Sequence, residues 1–167
     1  MTRSTTLAVV GGDERQAHLA ALLRADGHAV CTYALERHPV EGCAAAPDLR
    51  SALSGARAVI LPLPVQHSDA LLNAPLSNAP HPLAEVLDAV PAGTLVLAGA
   101  VPFWLHARAV QNELRLIDYL AREELAVRNA VPTCEGAIQL AMEQTDYALH
   151  GAPCLVAGFG RIGALLA

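Results

Sequence analysis

Long hydrophobic runs are missing from this 167-residue sequence, although 53% of its residues are hydrophobic. No stretch reaches the roughly 18 uninterrupted apolar residues that mark a membrane-spanning helix, so we expect no membrane partner. The apolar stretch near the N-terminus ends at Gly11-Gly12-Asp13, after about four residues, which is too short for the core of a signal peptide. The sequence therefore predicts a cytoplasmic protein.

Aromatic and charged residues are also few, at 4% and 16% of the chain. Abundant Ala, Leu and Val with scarce aromatics favour helices packed on an aliphatic sheet over an aromatic-rich β-sandwich. The net charge of -5 provides no basic face, which argues against nucleic acid as a partner. The four cysteines form no C-x-x-C pair and the seven histidines no H-x-x-x-H pair, so we expect reduced thiols and no metal site.

Apolar stretches of strand length recur along the first 130 residues, and helical patterns separate most of them. Five prolines between residues 62 and 82 indicate a long loop. This alternation predicts an α/β fold, a Rossmann-like or flavodoxin-like parallel sheet with helices on both faces, over residues 1–130. The expected strands are residues 7–10, 28–33, 56–61, 93–98 and 114–117, and the expected helices are 13–25, 49–53, 83–90 and 102–112.

Residues 131–150 are expected to connect two α/β units. Pro132 restrains the entry to a helix predicted over Thr133–Thr145, which carries a polar face beside an apolar one. A new strand is expected at Cys154–Ala157. The second domain is therefore predicted to begin near residue 151.

A G-x-G-x-x-G motif directly follows that expected strand, and a helix-compatible segment follows the motif. In dinucleotide-binding folds the first glycine allows a tight turn, the second lets the backbone approach a pyrophosphate, and the third permits close helix packing. The helix N-terminus then offers N–H groups to the phosphates. The motif predicts binding of NAD or NADP by Gly158, Phe159, Gly160, Arg161, Ile162 and Gly163.

A glycine-rich turn without a ligand stays open as the alternative for this motif. The sequence ends four residues after Gly163, before the second strand and the acidic residue about 20 positions on that would hold a ribose. We therefore expect residues 151–167 to be the truncated start of a dinucleotide-binding domain that binds poorly on its own. Residues 1–130 are then the substrate-side domain.

A second motif, Gly11-Gly12-Asp13-Glu14-Arg15-Gln16, stands at the carboxyl end of the first expected strand, where open α/β sheets bind ligands. The guanidinium of Arg15 could hold a substrate carboxylate through two hydrogen bonds. The spacing of Asp13 and Gln16 also fits a helix cap, with the two glycines making the turn. Spacing alone favours the cap.

A third motif surrounds Thr133 and Glu135. Thr133 could cap the connector helix, and the helix dipole would stabilise the Glu135 carboxylate in the first turn. Glu135 could instead be a general base at a cleft between the two domains. The spacing does not separate these two interpretations.

Three segments together resemble the family of dipicolinate synthase A subunits: GGDERQ near the start, NAVPTCEGAIQLAMEQTDYALHG in the connector and VAGFGRIG after it. The P-T-x-E-G opening and the T-D-Y-x-x-H-G ending of the connector are the specific part. The resemblance runs through the whole chain in order and is thin between about residues 35 and 90.

The resemblance implies an enzyme of bacterial spore formation that oxidises a dihydrodipicolinate-type intermediate to dipicolinate with NAD or NADP. It also implies a dicarboxylate substrate and, as partner, the flavoprotein-like B subunit of dipicolinate synthase; a homo-oligomer stays open. Carried over by position, the catalytic candidates are Asp13, Arg15 and Glu135. The substrate-binding candidates are Gly11, Gly12, Gln16 and Thr133.

Family members continue through a complete nucleotide domain, so we expect this chain to be a fragment, or a truncated copy that has lost catalysis. Alone it is expected to be inactive. The alternative is a non-catalytic α/β binding module whose nucleotide motif is a vestige. A phosphoacceptor receiver domain is a weak version of that alternative, because Leu61-Pro62 stands where the aspartate ending the third strand would be needed.

Overall fold

The computed structural model describes residues 5–167, and within them six parallel strands form one sheet flanked by helices. The strands are β1 (Thr6–Val10), β2 (Ala29–Tyr33), β3 (Ala44–Ala45), β4 (Ala58–Ile60), β5 (Leu95–Ala98) and β6 (Arg115–Asp118). The helices are α1 (Glu14–Ala25), α2 (Leu49–Leu53), α3 (Leu83–Asp88), α4 (Phe103–Gln111), α5 (Glu123–Glu143) and α6 (Arg161–Leu166), with 3₁₀ turns at Ser68–Ala70 and Tyr119–Ala121.

The sheet has the order β3-β2-β1-β4-β5-β6, so the direction of strand addition reverses between β1 and β4. Val9 pairs with Thr32 on one side and with Ile60 on the other. Because crossovers between parallel strands are right-handed, this reversal places helices on opposite faces. Helix α1 packs on one face, and α2, α3 and α4 pack on the other. The predicted α/β Rossmann-like fold is confirmed.

Two apolar clusters form the core of the sheet domain. Under α1, Ala20 packs with Val9 and Ile60, and on the opposite face Val59 packs with Leu87. Each fully buried aliphatic side chain contributes about 1.5–3 kcal/mol relative to an exposed one. These clusters bury the aliphatic residues whose periodicity predicted the strands and helices.

The connector helix differs from its prediction. Helix α5 begins at Glu123 and runs through Pro132, so Thr133 does not start it and Glu135 is not in its first turn. The Thr133 hydroxyl donates to the Asn129 carbonyl oxygen at 3.1 Å, the four-residue back-bond typical of a mid-helix threonine. A proline inside a helix removes one backbone hydrogen-bond donor. The sequence rule therefore starts the helix after Pro132, whereas the observed helix continues through that residue.

The strand predicted at Cys154–Ala157 is also wrong, because residues 152–159 have no regular structure. A strand exists only when it pairs with a neighbour, and no described strand pairs with this segment. The short β3 was missed for a different reason. Its two alanines carry no alternating pattern, and only its pairing with Cys31 and Thr32 of β2 defines it.

The chain divides into two compact units, Met1–Leu120 and Ala121–Ala167. The first contains the whole sheet with helices α1 to α4, and the second contains α5 and α6. Within residues 5–167, no helix combines the length and apolar character that a membrane crossing requires.

Candidate functional site

The strand order reverses between β1 and β4, and we call the carboxyl edge of the sheet at this reversal the crevice. In open α/β sheets, ligands bind outside the carboxyl ends of the strands at such a reversal. The segment after β1 contains Gly11, Gly12 and Asp13, and the segment after β4 contains Pro62 and Leu63. The motif GGDERQ therefore lies at the position that the fold favours for a ligand.

The two glycines shape the turn that leaves β1. Gly11 and Gly12 have φ angles of 70° and 102°, in the region where only glycine is unstrained. The N–H of Gly11 donates to the Tyr33 carbonyl oxygen at 2.9 Å, and that of Gly12 donates to the Asn73 carbonyl oxygen at 2.8 Å. Both donors are thus used within the fold and are not free for a substrate carboxylate.

The loop after β4 packs over this turn through its own side chains. Asn73, whose carbonyl oxygen accepts from Gly12, also donates from its amide to the Pro64 carbonyl oxygen at 3.0 Å. Farther along, the Ser77 hydroxyl and His81 Nε2 are 2.8 Å apart, and the Asn78 N–H donates to the Glu36 carboxylate at 3.1 Å. The proline-rich loop is therefore a fixed wall of the crevice.

Asp13 caps helix α1 and also binds the guanidinium of Arg15. The carboxylate that forms the helix cap is therefore the one that the guanidinium binds. The carboxylate accepts the Arg15 backbone N–H at 2.9 Å and the Nε and Nη2 donors of its guanidinium at 2.8–3.1 Å. These hydrogen bonds lower the pKa of Asp13 and raise that of Arg15. The guanidinium edge formed by Nε and Nη2 therefore already binds a carboxylate of the chain itself.

Arg15 has a second anchor and one open side. Its Nη2 also donates to the Leu63 carbonyl oxygen at 2.7 Å, which ties helix α1 to the segment after β4. Nη1 takes part in none of the hydrogen bonds within residues 5–167, and the side chain is 61% exposed. Arg15 therefore presents its Nη1 edge to solvent in a fixed orientation.

Gln16 lies against the turn and is buried, with 7% of its surface exposed. A Cβ built on Gly12 would come within 2.0 Å of Gln16 Cγ, so the glutamine side chain occupies the space above that glycine. Its Nε2 has no hydrogen-bond partner among the described residues. This is a polar group that the helix-cap interpretation does not satisfy.

In the second unit, the glycine motif has the local geometry that its spacing predicts. Gly158 has a φ of 109°, and a Cβ on Gly163 would lie 2.1 Å from the Gly158 carbonyl oxygen. Gly160 precedes α6 as its N-cap, and Phe159 is 82% exposed. The turn therefore requires glycine at Gly158 and Gly163, whereas a Cβ on Gly160 would meet nothing within 4 Å.

The other candidates in the second unit are engaged with α5 or exposed on it. The Arg161 guanidinium pairs with the Glu123 carboxylate, with Nε at 2.8 Å from Oε1, and this lowers the pKa of Glu123. The Ile162 carbonyl oxygen accepts from the Cys134 thiol at 3.5 Å. Glu135 is exposed on α5. No group of three or more potential metal ligands occurs within the part of the chain that the structure describes.

A family model for the N-terminal domain of the dipicolinate synthase A subunit matches residues 6–120. The chain belongs to this family. It is 30% identical over 171 residues to the dipicolinate synthase A subunit of Bacillus subtilis (strain 168), with 100% of this chain and 57% of that protein covered.

Two solved structures of the family resemble the chain. The dipicolinate synthase A chain from Bacillus subtilis superposes with a TM-score of 0.82 at 27% identity, covering 100% of this chain and 57% of that one. The A subunit from Bacillus halodurans superposes with a TM-score of 0.84 at 24% identity, covering 98% and 57%. The chain thus spans less than two thirds of the length of these relatives.

The residues that match the dipicolinate synthase A-subunit family model include the whole crevice and end before the glycine motif. Inside the crevice, sequence reasoning missed Tyr119. Its ring lies over Gly99, its hydroxyl donates to the Leu61 carbonyl oxygen at 3.0 Å, and burial raises its pKa to about 12. A tyrosine two residues after an expected strand, at the ligand edge of the sheet, was the available signal.

Asp118 fixes the position of Tyr119 and was missed for the same reason. Its carboxylate accepts the backbone N–H groups of Ala100 at 3.2 Å, Val101 at 2.8 Å and Leu120 at 2.8 Å. One side chain therefore clamps the segments that follow β5 and β6. This network holds together the two segments beside Tyr119.

Proposed function

We propose that this chain is the substrate-side part of an enzyme that oxidises a dihydrodipicolinate-type intermediate to dipicolinate during sporulation. Arg15, held by Asp13 and by the Leu63 carbonyl oxygen at the strand-order reversal, carries the proposal. Its Nη1 edge can donate to a carboxylate without breaking either anchor. A planar dicarboxylate is the ligand class that this family membership and this cation together favour.

Arg15 binds one substrate carboxylate, and Asp13 is a positioning residue that orients the guanidinium. Gly11 and Gly12 contribute the shape of the turn, because their N–H groups already donate within the fold. Gln16 lies beside them. The proposal further gives substrate binding to Thr133 and proton removal to Glu135, as the family resemblance implies.

The glycine motif fits a dinucleotide-binding turn at two of its three positions, since Gly158 and Gly163 are required by the turn. Gly158, Phe159, Gly160, Arg161, Ile162 and Gly163 would hold that cofactor together with the rest of a complete nucleotide domain. When bound, the nicotinamide accepts a hydride from the substrate. A cytoplasmic location and partnership with the flavoprotein-like B subunit of dipicolinate synthase complete the proposal.

Dipicolinate binding and formation test the proposal. Replacing Arg15 by Met is expected to weaken dipicolinate binding about 10- to 100-fold, the usual effect of losing a hydrogen bond to a charged group. The matched control is Arg50→Met, because Arg50 is an exposed arginine on another helix, α2. Calorimetric titration with dipicolinate measures the effect, and unchanged binding by Arg15→Met would remove Arg15 from the site.

The base assignment needs the complete enzyme, with the B subunit present. Glu135→Gln is expected to lower the rate of dipicolinate formation at least about 100-fold, with Glu143→Gln, on the same helix, as the control. Full turnover by Glu135→Gln assigns proton removal to another group. If neither dipicolinate binding nor turnover is found in the parent protein, the crevice is a non-catalytic binding site and the Asp13–Arg15 pair is a structural clamp.

A further inference from the structure

Gln16 is the one buried polar side chain of the crevice, within the described residues, whose donor the fold leaves without a partner. It is the third residue of α1, 93% removed from solvent at 7% exposure. Gly12 is a glycine partly because the side chain of Gln16 fills the space above it, with Cγ at 2.0 Å from the position of a Cβ. Pro62, after β4, borders the same space at 3.3 Å. The amide is thus enclosed between β1 and β4, where the strand order reverses.

An enclosed amide donor without a partner opposes folding, because the group loses its hydrogen bonds to water and gains none in the protein. Gln16 Nε2 is in that state within residues 5–167. A capping bond between the Gln16 side chain and the start of α1 would use the amide oxygen and leave Nε2 unpaired. Helix capping therefore does not account for this donor.

The charges around Gln16 favour an anion as the missing acceptor. The neighbouring carboxylate, Asp13, has both oxygens engaged by Arg15, so its charge is compensated. The N-terminal end of α1 is the positive end of the helix dipole and attracts negative charge. The same bonds compensate the charge of Arg15, whose Nη1 stays available as a second donor. A carboxylate oxygen is an acceptor that the helix dipole stabilises here.

We propose that Gln16 is the specificity-determining donor of the crevice, with Nε2 donating to a carboxylate oxygen of a small carboxylate ligand. The identity of that ligand as a pyridine dicarboxylate rests on the proposed function, but the assignment of the donor does not. Gln16 contacts the ligand from the buried side and Arg15 from the exposed side. A ligand with two carboxylates can contact both donors. A ligand with one carboxylate contacts Gln16 Nε2 only if that carboxylate enters the enclosed space.

The proposal predicts an opposite response of stability and binding to one substitution. Gln16→Met keeps the length of the side chain and removes the donor. Since an unpaired buried donor is replaced by an apolar group of similar shape, the unliganded variant should unfold at the same temperature as the parent or higher. Its affinity for the carboxylate should fall about 10- to 100-fold, the effect of losing a hydrogen bond to a charged group.

The experiment uses the 167-residue chain and two probes, pyridine-2,6-dicarboxylate and pyridine-2-carboxylate. Calorimetry gives the affinities, thermal unfolding gives the stability, and Gln111→Met is the control because Gln111 is exposed at the end of α4. In the unsubstituted chain, the side-chain NH₂ signal of Gln16 in a ¹⁵N-correlated NMR spectrum should shift on titration with the probe. That measurement remains decisive if Gln16→Met fails to fold.

The outcomes separate this proposal from the proposed function. Binding of pyridine-2,6-dicarboxylate that is as tight in Gln16→Met as in the parent, with an unmoved Gln16 NH₂ signal, overturns the Gln16 assignment and leaves the function standing. Binding of the monocarboxylate alone, dependent on Gln16, supports the assignment and counts against the dicarboxylate function. Absence of binding of either probe to the parent chain overturns the assignment.

Discussion

The two units of the chain use their apolar residues in different ways. In the first unit, the sheet and its helices enclose two aliphatic clusters, with Val9, Val59 and Leu87 fully buried. In the described residues of the second unit, only Ala130 and Cys134 are buried hydrophobic residues, and Leu140 and Phe159 are 61% and 82% exposed. The first unit therefore carries the core, and the second is held mainly by contacts between α5 and α6.

This difference shows where a rigid site can be built. The crevice lies on a sheet whose packing fixes every wall, and there Asp13 and Asp118 are held by several hydrogen bonds each. The glycine motif at residues 158–163 follows residues 152–157, which no strand pairing within the described residues supports. A rigid scaffold is what places ligand-binding side chains accurately, so the crevice is the better supported of the two candidate sites.

The largest expected effect tests the comparison directly with two helical leucines. Leu87 on α3 is 0% exposed, and Leu140 on α5 is 61% exposed. Leu87→Ala should lower the free energy of unfolding by about 2–5 kcal/mol, because it removes buried surface and leaves a cavity. Leu140→Ala should change it by less than about 0.5 kcal/mol. Urea unfolding followed by circular dichroism measures both.

Equal losses in the two variants would break the comparison, since they would mean that α5 is as tightly packed as α3. Val110→Ala is a further control inside the first unit, because Val110 is a helical residue of α4 that is 76% exposed. A small effect there, with a large one at Leu87, would show that burial decides the loss and not the unit.

The elements predictable from the sequence are those with strong periodicity. The pattern places helix α2 at its observed bounds and finds β1, β2, β5 and the helices α1 and α4 within two residues or so, because each buries one apolar face. The predicted start of α5 is wrong, since the helix begins at Glu123 and continues through Pro132. The strand at Cys154–Ala157 fails because pairing is a property of two segments and one segment alone cannot show it.

The candidate site is predictable in its location and less so in its bonding. The rule that ligands gather at carboxyl ends of strands points to Asp13 and Arg15. The Gly12 N–H donates to Asn73, which lies far away in the sequence, so sequence patterns do not predict this bond. The contact of the Arg15 guanidinium with Asp13 depends on side-chain rotamers, which the sequence does not show either. Tyr119 was missed because it becomes part of the site only through its bond to the Leu61 carbonyl oxygen.

A smaller effect is expected from two glycines of the second unit. A Cβ on Gly163 would overlap the Gly158 carbonyl oxygen at 2.1 Å, and one on Gly136 would meet nothing within 4 Å. Gly163→Ala should destabilise the contact of α6 with α5 by about 1–3 kcal/mol through overpacking. Gly136→Ala should stabilise α5 by about 0.5–1 kcal/mol. Hydrogen exchange of the α5 and α6 amides measures both.

Opposite signs at these two positions would show that the second unit has one specific packing point, at the glycine motif. If both substitutions slow exchange in α5 and α6, the turn has room for a Cβ and the close approach of Gly163 is wrong. Gly55 in the first unit has open space around it but a φ of 71°, which strains an alanine. Gly55→Ala should therefore destabilise the first unit, leave α5 and α6 exchange unchanged, and check that the effect is local.

The smallest expected effect concerns one exposed ion pair in each unit. Asp88 on α3 accepts from Arg108 of α4 and from Asn112, which follows α4. The Arg108 guanidinium lowers the pKa of Asp88 from 3.8 to about 2. Because the folded state binds this proton more weakly than the unfolded state, the pair stabilises the fold above about pH 3.8 and stops doing so as the pH falls towards 2. Asp88→Asn should therefore lower the melting temperature slightly at about pH 6 and not at about pH 2.

The corresponding pair in the second unit is Glu123 with Arg161, which also lowers the pKa of the Glu123 carboxyl. Because this pair joins α5 to α6 outside the two aliphatic clusters, Glu123→Gln should leave the melting temperature of the sheet unchanged at both pH values. Faster hydrogen exchange confined to the α6 amides should appear at about pH 6. A lower melting temperature of the sheet in Glu123→Gln would mean that the two units unfold as one cooperative structure. The units would then differ in burial but not in stability.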